Sequence, residues 1–398
     1  MIQIPPYDSP SRGNGEAILD LYLSIVADVV PFYPEDVLNG HPRKTDAPTA
    51  AFRKRTKNYV DKLKECKIID NSIRKEDKRK NDALLAKHLI SKYSNNLYNR
   101  LYKKGNSKEE YSDGHVNPDQ LRNLLTVRID GGKLADFDFK DREDQFSKDL
   151  LEYVFRYEKF SMHTDLYKLI GMLGVEVCPY CNRQFITTFI PPEDAFDEKK
   201  KVSRTRPQLD HFKAKTKYPY LALSINNLIP CCGVCNHMKG DIDTDTLYPY
   251  SEGLGDTYKF KTTIPGQEQL ITQVLTGAHI APEHFDITLD SAGKEVDDGF
   301  CNRVEQSKSV FALEGLYQSH KGYVSDMYFH RYIATEEMID SIMKQFTGLF
   351  ESKDEVRQAL LLADTSADAL GKRPLAKLTK DIKEEIEAYY SRIRPSDK

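Results

Sequence analysis

The sequence predicts an α+β protein in which a mainly α-helical chain carries a small, cysteine-rich unit near its middle. Apolar residues recur every three to four positions over much of the chain, which is typical of amphipathic helices. From residue 174 to about residue 250 this spacing gives way to short apolar runs broken by Cys, Pro, Asn and Gly. Of the 7 cysteines, all but Cys66 and Cys301 fall inside that segment.

Length and composition indicate a globular protein of two or three domains. The chain has 398 residues, of which 39% are hydrophobic and 30% charged, enough to bury a sizeable core. Its apolar runs stay short of the roughly 18 residues of a membrane span, and the N-terminus lacks the features of a signal peptide. We therefore expect a cytoplasmic protein with no membrane partner.

The net charge of -3 hides a strong asymmetry along the chain. Residues 53–108 hold 18 Lys and Arg against 6 Asp and Glu, which leaves 40 against 55 for the rest. Such sorting favours a polyanion meeting one part of the molecule. Two interpretations of this basic segment are equally favoured. It is either an additional nucleic-acid-binding surface or a helical surface that faces solvent or a partner.

The region 1–120 is expected to be basic and helical. Its first fifteen residues are rich in Pro, Gly and Ser, which predicts a loop or a loosely held arm. An apolar helix is expected at residues 17–30, and two basic amphipathic helices at residues 50–68 and 81–104. A polar linker, GNSKEEYSDGHVNPDQ, closes the region.

The segments on either side of the central unit are expected to be structural scaffold. Residues 121–173 form a helical connector, with a short helix expected near residues 166–173. Strands are expected in DTYKFKT, at the end of the central unit (174–262), and in HFDITLD. Residues 263–398 then turn helical from about residue 302 and include the amphipathic stretch PLAKLTKDIKEEIEAYYSRI.

Two cysteine pairs in the central unit have metal-binding spacing. The sequences CPYC and CGVC place Cys178 with Cys181 and Cys232 with Cys235, and together they offer the four sulfurs of a closed structural zinc site. A redox role for one pair is the weaker alternative. Cys231 falls outside the CxxC register, so we expect it to be a small buried residue and not a ligand.

Between and within these pairs lie three further motifs: LDHF, INNL and CNHMKGD. Asp210 and His211 are followed by Asn227 and then Asn236, in the order and spacing of an HNH nuclease core. With the four cysteines, this segment resembles the HNH endonucleases of the ββα-metal superfamily, most closely those of bacterial anti-phage systems such as Septu. The resemblance covers roughly residues 174–250 and implies a small, zinc-stabilised ββα-metal unit.

The residue types fit phosphodiester hydrolysis. A histidine with an ordinary pKa near 6.5 accepts a proton from water at neutral pH, so His211 is the candidate general base. The carboxylate of Asp210 and the amide oxygen of Asn236 form an oxygen-rich pair that suits catalytic Mg²⁺, or Mn²⁺, and not zinc. The resemblance implies that Asn227 fixes the loop that carries His211.

The last motif position leaves an alternative open. His237 adjoins Asn236 and has the side chain found at this position in many members of the family. Neighbouring helical residues differ in direction by about 100°, so a shift of register would move the ligand off the metal, and we favour Asn236.

Basic residues surround these motifs. The candidates for phosphate contact are Lys213, Lys215, Lys217 and Lys239. Such contacts would give affinity for nucleic acid that does not depend on its base sequence. An earlier run comprises Lys199, Lys200, Lys201, Arg204 and Arg206, and for its three lysines a solvated surface is an equal alternative.

The sequence thus predicts a metal-dependent HNH endonuclease that hydrolyses phosphodiester bonds in DNA, with an expected role in bacterial anti-phage defence. An ATPase or another subunit of a defence system is a candidate partner. The alternatives are a zinc-ribbon nucleic-acid-binding module in which the DH and NL pairs are incidental, and a partner-docking subunit without cleavage of its own.

Overall fold

The computed structural model of the protein describes residues 1–30, 83, 86–91, 94–104, 109–111, 115–129, 151, 154–189, 204–263, 281–361 and 370–393. In these ranges the chain is mainly helical and contains two antiparallel sheets of two strands each, which confirms the predicted α+β class. No helix in them is long and apolar enough to cross a membrane. The basic helix expected at residues 50–68, most of the basic segment 53–108, and the run Lys199, Lys200 and Lys201 lie outside the described residues.

The apolar helix near the N-terminus and the short helix near residues 166–173 are found where predicted. The helix expected at residues 81–104 is interrupted at Ser94, whose backbone is extended, and the expected linker ends in a helix that begins at Pro118. The bounds of the helices before the central unit are Gly15–Val29 (α1), Asn95–Tyr102 (α2), Pro118–Leu125 (α3), Tyr157–Ser161 (α4) and Leu166–Leu173 (α5), with a 3₁₀ turn at Pro10–Arg12. Helix α2 begins where the Ser94 hydroxyl accepts a hydrogen bond from the amide of Leu97, at 3.1 Å. Helix α5 ends at Gly174, whose φ of 57° is the left-handed conformation that favours glycine.

The first nine residues have the irregular backbone of the predicted loop, but they are not a loosely held arm, and that alternative is wrong. Met1, Ile2 and Ile4 are each at most 4% exposed. The amide of Ile2 donates to the carbonyl of Pro179 at 2.9 Å, and the amide of Ile4 donates to that of Pro249 at 2.8 Å. Proline and glycine predict an irregular backbone, but the apolar side chains between them decide that this irregular segment is buried.

The central unit contains a strand, a long loop, a second strand and a helix in direct succession. Strand β1 (Gln208–His211) pairs antiparallel with β2 (Leu228–Cys231), so that Gln208 faces Cys231 and His211 faces Leu228. The loop between them contains two 3₁₀ turns, Pro219–Leu221 and Ile225–Asn227. Helix α6 (Gly233–Lys239) follows β2 at once. The last residues of β1 and the residues of α6 are therefore neighbours in space.

The C-terminal part pairs a second sheet with helices, as predicted. Strands β3 (Tyr258–Thr263) and β4 (Asp286–Ser291) are found where strands were predicted, and the structure pairs them antiparallel. The helices that follow are Asp298–Val310 (α7), Leu313–Tyr317 (α8), Lys321–Ile333 (α9), Glu336–Gln345 (α10), Lys353–Leu361 (α11) and Ala376–Ile393 (α12), with 3₁₀ turns at Pro282–His284 and Gln318–His320. Helix α12 packs along β3, where the Asp381 carboxylate accepts a hydrogen bond from the amide of Phe260 at 2.9 Å.

Asn182, the residue after the first cysteine pair, joins the central unit to α12. It is fully buried, and its φ of 50° is left-handed. Its side-chain oxygen accepts from the amide of Lys377 at 3.0 Å, and its side-chain nitrogen donates to the carbonyl of Leu370 at 2.9 Å. The side chain of Lys377 forms a buried ion pair with Asp381, at 2.5 Å. This chain of contacts fixes α12 against the cysteine-rich turn.

We expect Asn182→Ala to lower the free energy of unfolding by about 2–4 kcal/mol, because it leaves a buried donor and a buried acceptor without partners. Asn182→Gly loses the same hydrogen bonds but relieves the left-handed strain, so it should be about 1 kcal/mol more stable than the Ala variant. Urea denaturation of the three proteins measures both differences. A Gly variant no more stable than the Ala variant would contradict the strain argument.

Candidate functional site

The four cysteines of the two CxxC pairs lie in one buried cluster. Their sulfur atoms all lie within 4.8 Å of one another, the residues being Cys178, Cys181, Cys232 and Cys235. The sulfurs of Cys181 and Cys232 are 3.9 Å apart. Four thiolates bound to zinc at about 2.3 Å have a mutual spacing of about 3.8 Å in a tetrahedron. The cluster can therefore hold a structural metal such as zinc, and in the described ranges it is the one group of three or more His, Cys, Asp or Glu side chains close enough to do so.

Local structure brings each pair to the cluster. In the first pair, the amide of Asn182 donates to the carbonyl of Cys178 at 2.8 Å and closes a tight turn. In the second, Cys232 caps α6, because its sulfur accepts from the amide of Cys235 at 3.4 Å. Cys231 is buried outside the cluster, and burial holds the pKa of its thiol well above the usual range. Its burial outside the cluster agrees with the prediction that Cys231 is a small buried residue and not a ligand.

Asp210 is held at both carboxylate oxygens. It is 2% exposed; the hydroxyl of Tyr180 donates to Oδ2 at 2.6 Å, and the ammonium of Lys239 donates to Oδ1 at 3.2 Å. Burial raises the pKa of Asp210, while Lys239 and Tyr180 act in the opposite direction. The carboxylate is thus the centre of a buried polar network in which both of its oxygens have a donor.

Lys239 does not lie at the surface, where a lysine that contacts phosphate is expected. Its ammonium is buried and also donates to the backbone carbonyl of His211, at 2.7 Å. The side chain therefore spans from α6 to the end of β1 and contacts both residues of the DH pair. A lysine used in this way stabilises the pair from inside the unit.

The His211 imidazole is oriented by the loop and by a tyrosine. Its Nε2 lies 3.0 Å from the carbonyl oxygen of Ala222, and its ring lies edge-on to Tyr157 with centroids 4.3 Å apart. A carbonyl only accepts, so Nε2 carries the proton in this bond and Nδ1 is the acceptor of the neutral ring. Burial, with Lys215 and Lys239 adding to it, lowers the pKa of His211 to about 3. The ring is neutral at neutral pH.

Asn227 closes the loop between the two strands. It is fully buried, and its side-chain oxygen accepts from the amide of Lys213 at 2.7 Å. Its side-chain nitrogen donates to the carbonyls of Lys213 and Leu221, at 3.0 Å and 3.1 Å. One side chain thus joins the start of the loop to the residue before Ala222, whose carbonyl contacts His211. The position of the imidazole depends on this closure.

An open cleft of about 360 Å³ lies over the end of β1 and the side of α6. It is lined by side chains that include Tyr157, Arg206, Asp210, His211, Lys215 and Asn236. Asn236 is half-buried on α6, and its Nδ2 donates to Oε1 of Gln208 at 2.7 Å, which leaves Oδ1 as its acceptor. The structure therefore brings Asp210, His211 and Asn236 to one cleft, with Asn227 beneath it and the exposed His237 beside Asn236 on α6.

The basic residues around the cleft differ in their surroundings. Lys215 lines the cleft, with its ammonium 5.7 Å from the centre of the Tyr157 ring. The ammonium groups of Lys213 and Lys217 lie 4.0 Å and 3.5 Å from the carboxylate of Asp243. Part of the charge of these two lysines is compensated by this carboxylate, which lowers their contribution to the binding of an anion.

Two residues that sequence reasoning passed over belong to this site, Tyr180 and Tyr157, and Arg206, which it named only as part of a basic run, also lines the cleft. Tyr180 lies inside the CPYC motif, and a large polar side chain between two metal ligands is a signal that could have been used. Arg206 donates to the carbonyl of Ser161 at 2.8 Å and lines the cleft from α4's side. Tyr157 belongs to α4, in the connector interpreted as scaffold, and nothing in the local sequence points to its contact with His211.

The chain matches no known protein-family model, no curated protein and no solved structure. The chemistry of the site therefore rests on the geometry of its residues.

We expect the purified protein to bind about one zinc ion per chain at the four cysteines. Cys181→Ser should lower the zinc content and the melting temperature, because a buried ligand of the cluster is lost. Cys231→Ala is the matched control, since this cysteine is equally buried but outside the cluster, and it should keep its zinc. Metal analysis after gel filtration measures the content, and a wild-type value well under one would contradict the assignment.

Proposed function

We propose that the protein is a metal-dependent endonuclease of the HNH type that hydrolyses phosphodiester bonds in DNA. The observation that supports this most is the juxtaposition of Asp210, His211 and Asn236 around one open cleft, on a strand–loop–strand–helix unit attached to a four-cysteine cluster. The order of these residues along the chain is that of the family resemblance.

In this proposal His211 is the general base. The bond from Nε2 to the Ala222 carbonyl fixes the tautomer, so that Nδ1 is the atom that takes a proton from water. The lowered pKa keeps the ring neutral, so that Nδ1 is able to accept a proton, but it also makes the ring a weaker base than an ordinary histidine. In this proposal the bound anionic phosphate raises that pKa toward neutral pH. Asn227 and Tyr157 hold the imidazole in place from two sides.

The oxygen atoms at the cleft fit a divalent metal ion such as Mg²⁺ or Mn²⁺. Asp210 and Asn236 would hold it, because both line the cleft and offer the hard oxygen donors that these ions prefer. Such an ion stabilises negative charge on the phosphate and on the leaving oxygen. Lys239 donates one hydrogen bond to Oδ1, and the carboxylate has further lone pairs that the metal ion would use.

The substrate phosphates would contact Lys215 and Arg206, which line the cleft, with Lys213 and Lys217 at its edge. We assign Lys239 to Asp210 and not to the phosphate, because its ammonium is buried between Asp210 and His211. These contacts read the DNA backbone and not its bases, which favours weak sequence specificity. The role in anti-phage defence, with an ATPase or other defence subunit as partner, rests on the resemblance alone, and the cytoplasmic location stays an expectation from the sequence.

We expect the purified protein to nick plasmid DNA in the presence of Mg²⁺, and His211→Ala to lower the rate by about 10²–10⁴-fold, because a positioned base is lost. His237→Ala is the matched control: this histidine is exposed on α6 next to Asn236, and its removal should leave the rate unchanged. Gel electrophoresis over time, with EDTA as a second control, measures the rates.

Equal activity of His211→Ala and wild type would contradict the assignment of the base. A protein that binds DNA in a gel shift but never cleaves it would support the alternative, a nucleic-acid-binding module. A drop in His237→Ala instead of Asn236→Ala would show that the motif is shifted by one residue.

We also expect binding of DNA to depend on salt through the basic residues of the cleft. Lys215→Gln and Arg206→Gln should each lower affinity and reduce the slope of log K against log salt by about 1, because each removes one phosphate contact. Lys344→Gln, at an exposed position on α10, is the control and should leave both unchanged. Fluorescence anisotropy with labelled duplex over a salt series measures the slopes, and identical slopes for all variants would place the binding surface elsewhere.

A further inference from the structure

We propose that Tyr180 is a positioning residue, whose hydroxyl holds the Asp210 carboxylate and connects it to the four-cysteine cluster. The inference rests on the proposed function and extends it, because it gives the cluster a part in catalysis beyond stabilising the fold.

The surroundings of Tyr180 leave its hydroxyl little freedom. The residue lies between Cys178 and Cys181 in the sequence, is fully buried, and stacks on Phe311 with ring centroids 4.4 Å apart. With the ring buried and stacked on Phe311, the hydroxyl lies 2.6 Å from Oδ2 of Asp210. A short bond from a fixed donor restricts rotation of the carboxylate about its own axis.

The other oxygen of Asp210 is held from the second cysteine pair. Lys239 donates to Oδ1 from the last residue of α6, the helix that Cys232 caps and that contains Cys235. Both donors to Asp210 therefore come from elements that the cluster anchors. Groups outside the first set of ligands orient a metal-binding carboxylate in this way, and their loss typically costs about 10–100-fold in metal affinity or activity.

Tyr180→Phe tests this role, because it removes the hydroxyl and keeps the stacked ring. Tyr317→Phe is a closely matched control. Tyr317 is also buried and stacked on a phenylalanine, Phe260, at 4.1 Å, and its hydroxyl donates to the carbonyl of Cys181 at 2.7 Å. The control thus loses a buried hydroxyl contact to the same turn without touching Asp210.

For zinc-loaded Tyr180→Phe we expect kcat to fall by about 10–100-fold while KM for DNA stays within about 2-fold of wild type. The zinc content should remain that of wild type, and the melting temperature should match that of Tyr317→Phe. Independently of activity, electron paramagnetic resonance of Mn²⁺ should show about 10-fold weaker binding to Tyr180→Phe. Tyr317→Phe should keep the wild-type kcat and Mn²⁺ affinity.

Three other results would contradict the inference, and each has a different meaning. If kcat and Mn²⁺ affinity in Tyr180→Phe equal those of wild type, the hydroxyl does not position Asp210. Loss of zinc, or an equal fall in Tyr317→Phe, assigns the tyrosine a purely structural role. A wild-type protein that neither cleaves DNA nor binds Mn²⁺ removes the proposed function and this inference with it, whereas a cleaving wild type with an unaffected Tyr180→Phe removes the inference alone.

Discussion

The contact between the two cysteine pairs is the constraint on which the site depends. The sulfurs of Cys181 and Cys232 lie 3.9 Å apart although 51 positions separate them along the chain. Strands β1 and β2 have four residues each, and a two-stranded sheet of that size is marginal in water. A metal held by the four sulfurs would supply the cross-link that such a small unit lacks. The N-terminal arm and Tyr317 bond to the first cysteine-rich turn, and Asn182 within that turn bonds to α12, so the surrounding scaffold contacts the unit at this turn.

Buried polar groups around the cleft are costly unless each has a partner, and the site meets this requirement with few residues. The Asn227 amide uses its oxygen and nitrogen on three backbone groups of one loop. The Asp210 carboxylate is satisfied by Tyr180 and Lys239. These hydrogen bonds orient the loop and the carboxylate beside the open cleft.

The carboxylate at the floor of the cleft is compensated, and the residues that line its opening carry both signs of charge. The ammonium of Lys239 balances Asp210 below, whereas Lys215, Arg206 and Asp241 line the opening. Burial, with Lys215 and Lys239 adding to it, keeps the His211 ring neutral, as its lowered pKa of about 3 indicates. In the proposed function the two cations would attract an anionic backbone, whose charge would raise the pKa of the imidazole and make it a stronger base.

The sequence by itself determined the α+β class, the pairing of the four cysteines and the bounds of helices such as α5 and α12, because these depend on spacing along the chain and on local periodicity. It also placed Asp210, His211 and Asn236 near one another through motif order. Only the tertiary structure decided that the N-terminal arm is buried, that Lys239 faces Asp210, and that Tyr157 packs on His211. Those contacts join positions far apart in the chain, and packing between elements, which local sequence does not encode, selects them.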